Sequence, residues 1–496
     1  MKKLVKKILS VTMLFGLFIS GASAKENAFD QVAYDKAYNS EDYSTCIDML
    51  SAVDDEKNYI KNSLDVDMLL YFLSDYQKSG EGFVASLENM ENTSSGMTAG
   101  QIIGASVAGE NAITYSGSVY EFLLAYSMNA VNALKLGDES KAMGAITNYI
   151  QFNQDTISPL LQKQKELEQA GADLLDSNEF KTATETLKKN YGVDIPLLDW
   201  TNNLPPKAES TYETSPFLSY LGTVIYALNG DKDHADEFSK ILAHDNSVDV
   251  SEIMNILSDE SDKGYLDVIA LSGVIGQRSE SVYEPTPLDL TLCLNSAGVM
   301  PYSGIPIESH LFLNYKIAYP SFNLKKQNHA ISRVVVKLSD GNSKTATLIE
   351  DFDKAVKNDV DGKARAAYYR SMFRNVTKSV GTIGGGAASV IGTDKALAKA
   401  GKNPIALKAA LVGYNKAAKP LQEALNALTD SEKADVRQAA YLPNKASATG
   451  FSVAPGTYTV TVEYLNDAGK VIGSETIPNV NVEAGKVAVA VSSCKK

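Results

Sequence analysis

The chain is poor in the side chains that most often carry chemistry: 496 residues hold three cysteines, four histidines and one tryptophan. Cys46, Cys293 and Cys494 are odd in number and far apart, so neither a zinc spacing nor a redox pair can be drawn from them. They read as small buried apolar residues plus a thiol near the C-terminus, with a Cys46 to Cys293 bridge left open as the alternative. His234, His244, His310 and His329 include no i, i+4 pair, which excludes a metallohydrolase helix, and no P-loop lysine is present. Gly104-Ala105-Ser106-Val107-Ala108 approaches a nucleophile elbow but lacks its last glycine and the strand-turn-helix context an elbow needs. A calcium loop around Asp359 to Gly362 would require Lys357 as its first acidic ligand. We therefore expect no enzyme, no cofactor and no metal; a hydrolase built on Ser106 is the least favoured alternative.

A surplus of positive charge is also missing. The formal charge is -13, which argues against nucleic acid as a partner because phosphate binding draws on excess Lys and Arg. Long apolar runs are scarce as well, and Ile8 to Ile19 falls short of the roughly 20 residues a membrane span needs. Its setting is specific: Lys2, Lys3, Lys6 and Lys7 precede it and Ala22-x-Ala24 follows, the layout of a secretory signal peptide (residues 1–24) cleaved after Ala24. No cysteine stands directly after Ala24, so the expected product is exported, periplasmic or envelope-associated, and without a lipid anchor. Removing the leader with its four lysines takes the charge to -17 over the remaining 472 residues, enough chain for two or three domains.

What is present is a repeated helical design. Four stretches read as an apolar helix, a small or acidic turn, and a second helix with a small residue shortly after the turn. They are Phe29 to Leu50 around Glu41-Asp42 and Cys46, Met68 to Met90 around Gly80 and Ala85, Tyr120 to Ile150 around Gly137-Asp138 and Ala142, and Pro216 to Leu242 around Gly230-Asp231 and Ala235. Glycine ends the first helix in a left-handed conformation, aspartate caps the next, and the small residue admits close approach. Such hairpins must stack to bury their apolar faces, which predicts an irregular tetratricopeptide-like solenoid over residues 25–262. Insertions at Asn92 to Ser118 and Ser158 to Pro206 interrupt it, the latter ending in a Pro205-Pro206 hinge.

After Asp262 the pattern changes. Gly264 to Ser272 reads as a buried strand, and Ala330 to Leu338, Asp340-Gly341 and Ser343 to Ile349 as a hairpin, giving a mixed β region over 263–350. Helix returns from Phe352 to Val380 and Asp394 to Leu428, in a basic, Gly/Ala-rich region over 351–445. Pro455 to Tyr464 alternates with period two, a turn follows at Asn466 to Gly469, and strands continue to Ser492, giving a small terminal β region over 446–496. The expected fold is mainly α with a C-terminal α+β part.

Between Arg365 and Lys419 stand ten basic residues and a single acid, Asp394, so this stretch carries +9 while the rest of the exported chain carries -26. The candidate interaction residues are Arg365, Arg370, Arg374, Lys378, Lys395, Lys399, Lys402, Lys408, Lys416 and Lys419. Within it lies an uncharged run, Ser379 to Thr393, with Gly381, Gly384, Gly385, Gly386 and Gly392. The plainer reading packs this stretch against the acidic solenoid, with the glycines in a tight turn between helices. The sharper one makes it a membrane-surface or partner-binding element.

Three landmarks occur in one order: Tyr120 to Ala130 through Gly137-Asp138, Ser215 to Gly222 through Gly230-Asp231, and Val436-Arg437 through Pro455 to Val460. In that order the chain resembles an uncharacterised bacterial family of exported tetratricopeptide-like lipoproteins. The resemblance implies a cell-envelope location and a scaffold role, often beside lipoproteins of the type that activate penicillin-binding proteins; it supplies no catalytic residues to carry over. The absence of a lipobox cysteine departs from that family. The expected function is an envelope scaffold or adaptor that holds an envelope protein on its helical surface. The alternative is a structural protein that contacts lipid or self-assembles through the basic glycine-rich segment.

Overall fold

The computed structural model describes residues 29–496 apart from 54, 97–108, 110, 112, 153–156, 208–213, 246–247, 258–261, 297–309, 323–329 and 401–403. The stretch read as a signal peptide (residues 1–24), Ser106 with its neighbours, and Lys402 lie outside the described residues, as does the side chain of Lys395.

The N-terminal half consists of four helical hairpins: α1 (Gln31–Asn39) with α2 (Tyr43–Ser51), α3 (Tyr59–Phe72) with α4 (Tyr76–Gly96), α5 (Val119–Lys135) with α6 (Glu139–Phe152), and α10 (Pro216–Leu228) with α11 (Lys232–Asp245). Each helix packs on the next in this order, α6 meeting α10 across the intervening α7 (Ser158–Asp176), α8 (Asn178–Tyr191) and α9 (Leu197–Asn202). Four further helices complete the described helical part: the short α12 (Ser251–Ile256) and α13 (Leu290–Ser296), and the long pair α14 (Phe352–Ala400) and α15 (Pro404–Ser431).

One turn is used four times. Glu41, Ser74, Gly137 and Gly230 have φ of 62°, 61°, 68° and 73°. In each case the N–H of the following aspartate reaches back to a carbonyl in the last turn of the first helix: Asp42 to Ala37 at 2.9 Å, Asp75 to Leu70 at 3.0 Å, Asp138 to Ala133 at 2.9 Å and Asp231 to Tyr226 at 2.9 Å. This is the Schellman arrangement. The same aspartates cap the second helices by accepting from the N–H of Thr45, Lys78, Lys141 and His234. Hydrogen bonding to those residues holds all four carboxyls below the usual aspartate range. Four residues on, Cys46, Ser79, Ala142 and Ala235 are fully buried at the helix crossing.

This corrects the second hairpin. Its turn is Ser74-Asp75 and its small residue Ser79; Gly80 lies inside α4 and Ala85 is exposed. Serine there takes the place of the glycine that marks the last two turns, and the buried Ser79 hydroxyl is satisfied by donating to the Asp67 carbonyl at 2.8 Å and accepting from Asn132 Nδ2 at 3.0 Å. The glycine that matters in this helix is Gly82, where a Cβ would sit 2.0 Å from Asp67 Oδ1.

Two four-stranded sheets follow. The first has the order β12 (Val487–Cys494), β1 (Gly264–Ser272), β9 (Lys445–Val453), β8 (Thr347–Asp351); the second runs β11 (Val471–Val482), β10 (Gly456–Leu465), β6 (Arg333–Leu338), β7 (Ser343–Thr345). β1 pairs parallel to β12, Tyr265 opposite Val487, and antiparallel to β9. The expected β6–β7 hairpin forms with Gly341 at φ 95°, then passes after Ala346 into β8 of the other sheet. Ranges 263–350 and 446–496 thus interleave strands in the same two sheets. Between the sheets Val268, Val336, Phe451 and Val462 form one core. On the other face of the first sheet Tyr265, Ile269, Ala448 and Val491 join α3, α5 and α10 in a larger core. β1 is buried at all nine positions because it lies under both layers. Two two-stranded ladders, β2 (Arg278–Tyr283) with β5 (Ile317–Phe322) and β3 (Leu288–Asp289) with β4 (Phe312–Leu313), lie beside α14 and α15. There Trp200, Tyr315, Tyr368 and Tyr414 centre a separate core.

Candidate interaction surface on the helical arm

The basic segment divides into a root that is neutralised within the chain and an arm that is not. At the root, Arg374 and Glu432 are 1% and 2% exposed and pair at 2.9 Å. Arg374 Nε donates to both oxygens of Glu432, Ser371 Oγ adds a bond of 3.0 Å, and Lys378 approaches to 3.5 Å. Arg370 is buried and Arg365 half-buried. About four turns earlier on α14, Asp359 holds Arg278 at 2.7 Å and Lys363 at 2.9 Å. A buried charge persists only when paired and hydrogen-bonded, and these are.

The glycines do not form a turn. α14 is continuous from Phe352 to Ala400, and the glycines lie inside it. A Cβ on Gly386 would stand 2.4 Å from Leu421 Cδ1 of α15, and one on Gly384 3.2 Å from Tyr191 Oη at the end of α8. Close packing of three helices therefore overrides the poor helix propensity of glycine at these two positions. Gly381 and Gly385 face open space, and nothing in the structure explains them.

Distal to these contacts, Lys399 on α14 and Lys408, Lys416 and Lys419 on α15 are all exposed. Among the described residues Lys399, Lys408 and Lys416 make no ion pair, and Lys419 meets Glu423 only at 3.9 Å with both side chains largely in water. Such a pair contributes little. Of the basic residues named from sequence, Arg374 and Lys378 secure the helix root on Glu432, Arg370 and Arg365 are buried and half-buried there, and the described distal lysines face solvent.

Sequence reasoning missed a buried polar junction. Residues 432–444 run without helix or strand between the helical layer and the first sheet, and carboxylates receive their N–H groups: Glu280 takes Ala434 at 2.7 Å, Glu121 takes Ala439 at 2.7 Å and Asp65 takes Ala440. Glu121 also accepts from Tyr115 and from the Ser118 N–H at 2.7 Å, while Arg278 reaches Ser118 Oγ at 2.6 Å. Burial pushes the Asp65 and Glu121 carboxyls up, as it does Asp67 and Asp267, both to about 7. These groups are occupied in holding chain to chain. The only hint in the sequence is three acids within otherwise apolar or strand-forming stretches.

Among the described residues no cluster of His, Cys, Asp and Glu has the arrangement of a metal site. The three cysteines are free, Cys46 and Cys293 lying in different cores. A cleft of about 510 Å³ beside Tyr59, Asn89 and Thr114 offers Asp55 and Glu56 and no basic partner. Comparison with protein-family models, with curated proteins and with solved structures finds no match for this chain.

Proposed function

We propose that this chain is an exported, non-enzymatic scaffold of the cell envelope, in which the hairpins form a tetratricopeptide-like frame and the α14–α15 arm is the surface that meets an anionic partner. The frame reading is supported by the turn repeated four times. It is also supported by the 33-residue step from Asp42 to Asp75, close to the repeat of about 34 residues usual for such hairpins. Larger steps later in the chain coincide with the insertions.

The observation that carries the choice of surface is the division of charge. Arg374 and Lys378 are consumed by Glu432, whereas Lys399, Lys408, Lys416 and Lys419 project into water from a chain that is otherwise acidic. A protein partner held on the inner face of the frame is less favoured, because the chain fills that face itself. α5 is buried at 14 of its 17 positions and α10 at 11 of 13, both under the first sheet. Nucleic acid stays outside the reading on charge and compartment.

The test is photocrosslinking in intact cells from a reactive side chain placed at Lys416 and, as control, at the exposed Val32 of α1. The reading expects adducts from position 416 that the control lacks, and adducts from position 32 alone refute it.

A further inference from the structure

The outer face of α15 carries a stripe of apolar and basic residues. Ile405, Lys408, Val412, Lys416 and Lys419 recur every three or four residues, so on a helix they fall within about 80° of arc along about 21 Å of axis. Ile405 is 82% and Val412 62% exposed, and the three lysines are exposed too. The opposite face, Tyr414, Ala418, Leu421 and Leu425, is buried in the core shared with α14. The helix is thus apolar on its packed side and alternates apolar with basic on its free side.

We infer that this stripe docks on an anionic lipid surface, an assignment that rests on the reading of the arm as the contacting element. Two observations favour headgroups over an acidic protein. First, every basic residue from Ser379 to Lys419 is lysine, while the arginines of the segment sit at the root. Protein interfaces are enriched in arginine and aromatics and depleted in lysine, and their hot spots follow that pattern. A plane of phosphates needs only mobile point charges. Second, two branched apolar side chains stand in water on the same stripe, Val412 between Lys408 and Lys416 and Ile405 one turn before Lys408. Lying flat at the interface would bury them below the phosphates, with the lysine stems extending up to the charge. The acidic body is repelled by the same surface, which presents the arm first.

The test is flotation of residues 25–496 with vesicles of phosphatidylcholine alone and of phosphatidylcholine containing phosphatidylglycerol. The chain is expected to float with the anionic vesicles only, and less as salt rises. Lys408→Gln, Lys416→Gln and Lys419→Gln together should weaken that binding on the order of a hundredfold. Ile405→Ser with Val412→Ser should weaken it at unchanged charge. Both variants should keep the parent's unfolding midpoint, since the side chains replaced are exposed. Failure to float, equal flotation with neutral vesicles, or undiminished binding by the lysine variant overturns the assignment. Sedimentation that shows self-association lost in the lysine variant would give the stripe to the acidic body of a second copy and overturn it as well. If flotation fails while position 416 still crosslinks to a protein, the lipid assignment falls and the arm reading stands; if both fail, both fall.

Discussion

Replacing Arg374 with methionine tests whether the root of the basic segment is structural. The change keeps much of the side-chain volume and removes the charge, leaving the Glu432 carboxylate 2% exposed with Ser371 Oγ at 3.0 Å and Lys378 at 3.5 Å as its remaining partners. Breaking a buried ion pair at one end costs about 3 to 5 kcal/mol, because an uncompensated charge stays behind. Lys378 is 30% exposed and already within reach, so it offsets part of this and brings the expected loss to about 2 to 4 kcal/mol. Glu432→Leu in the same background removes the stranded charge and should recover most of the loss. The assay is urea unfolding followed by tryptophan emission, since the single tryptophan, Trp200, lies in the same core as α14. Lys408→Gln in the arm serves as the contrast and should move the midpoint by less than about 0.5 kcal/mol. An Arg374→Met midpoint equal to the parent's, or a double variant no better than the single, would refute the division into root and arm.

Four further outcomes follow from the same structure. Gly230→Val forces a β-branched residue into φ 73° and should cost about 1 to 2 kcal/mol in a denaturant titration; an unchanged midpoint contradicts the shared turn. Ser74→Gly, at φ 61°, should instead stabilise by up to about 1 kcal/mol, and a loss there would show that Ser74 is held by more than its backbone. Asp67 and Asp267 have carboxyls raised by burial to about 7, above the unfolded value. Their contribution is full below about pH 4 and is lost as pH rises through 7, with a slope approaching 1.4 kcal/mol per unit per group. Asp267→Asn keeps an acceptor for Tyr220 Oη, which lies 2.7 Å from Asp267, so its unfolding midpoint should fall less than the parent's between mildly acidic and mildly alkaline buffer; parallel profiles refute the assignment. Lys495 lies 4.4 Å from the ring of Tyr43 and 5.4 Å from that of Tyr38, with Glu41 at 3.2 Å. Lys495→Ala should cost about 1 to 2 kcal/mol, and amide exchange in α1 and α2 should rise; unchanged protection there would dismiss the contact as incidental.

Local chemistry was readable in the sequence and long-range pairing was not. Gly137-Asp138 and Gly230-Asp231 announce their turns because glycine and aspartate satisfy two separate needs of the backbone at adjacent positions. Ser74-Asp75 makes the same hydrogen bonds but offers half of that signal, so the nearby Gly80 drew the boundary away from it. The strand pattern of Gly264 to Ser272 and of Thr457 to Tyr464 marked β1 and β10. Nothing in either run says that β1 lies between β12 and β9, or that β10 lies beside β6. Residues 432–444 left no trace, since a segment bonded to side chains from Asp65, Glu121 and Glu280 needs no periodicity of its own. The glycine run misled for a related reason: propensity describes an isolated helix, and Gly384 and Gly386 answer to Tyr191 and Leu421.

The placement of charge carries the functional argument one step further. Three arginines at the root and the junction find their counter-charge within the chain: Glu432 for Arg374, Asp359 for Arg278, Asp435 for Arg437. An acidic body has ample carboxylates to do the same for the arm, and α15 could carry them one turn from each lysine, as α14 does with Lys357 and Asp361. Instead the stretch from Ile405 to Lys419 holds no acid at all, and of its lysines only Lys419 has an acid one turn away, Glu423, met at 3.9 Å with both side chains largely in water. Lys416 and Lys419, three residues apart on one helix face, repel and lower its stability by a few tenths of a kcal/mol. Leaving them unpaired therefore works against folding, and the compensation is expected from outside the chain. That is why the proposed contact is placed on the lysines of α15 rather than on the more numerous contacts of the hairpin frame.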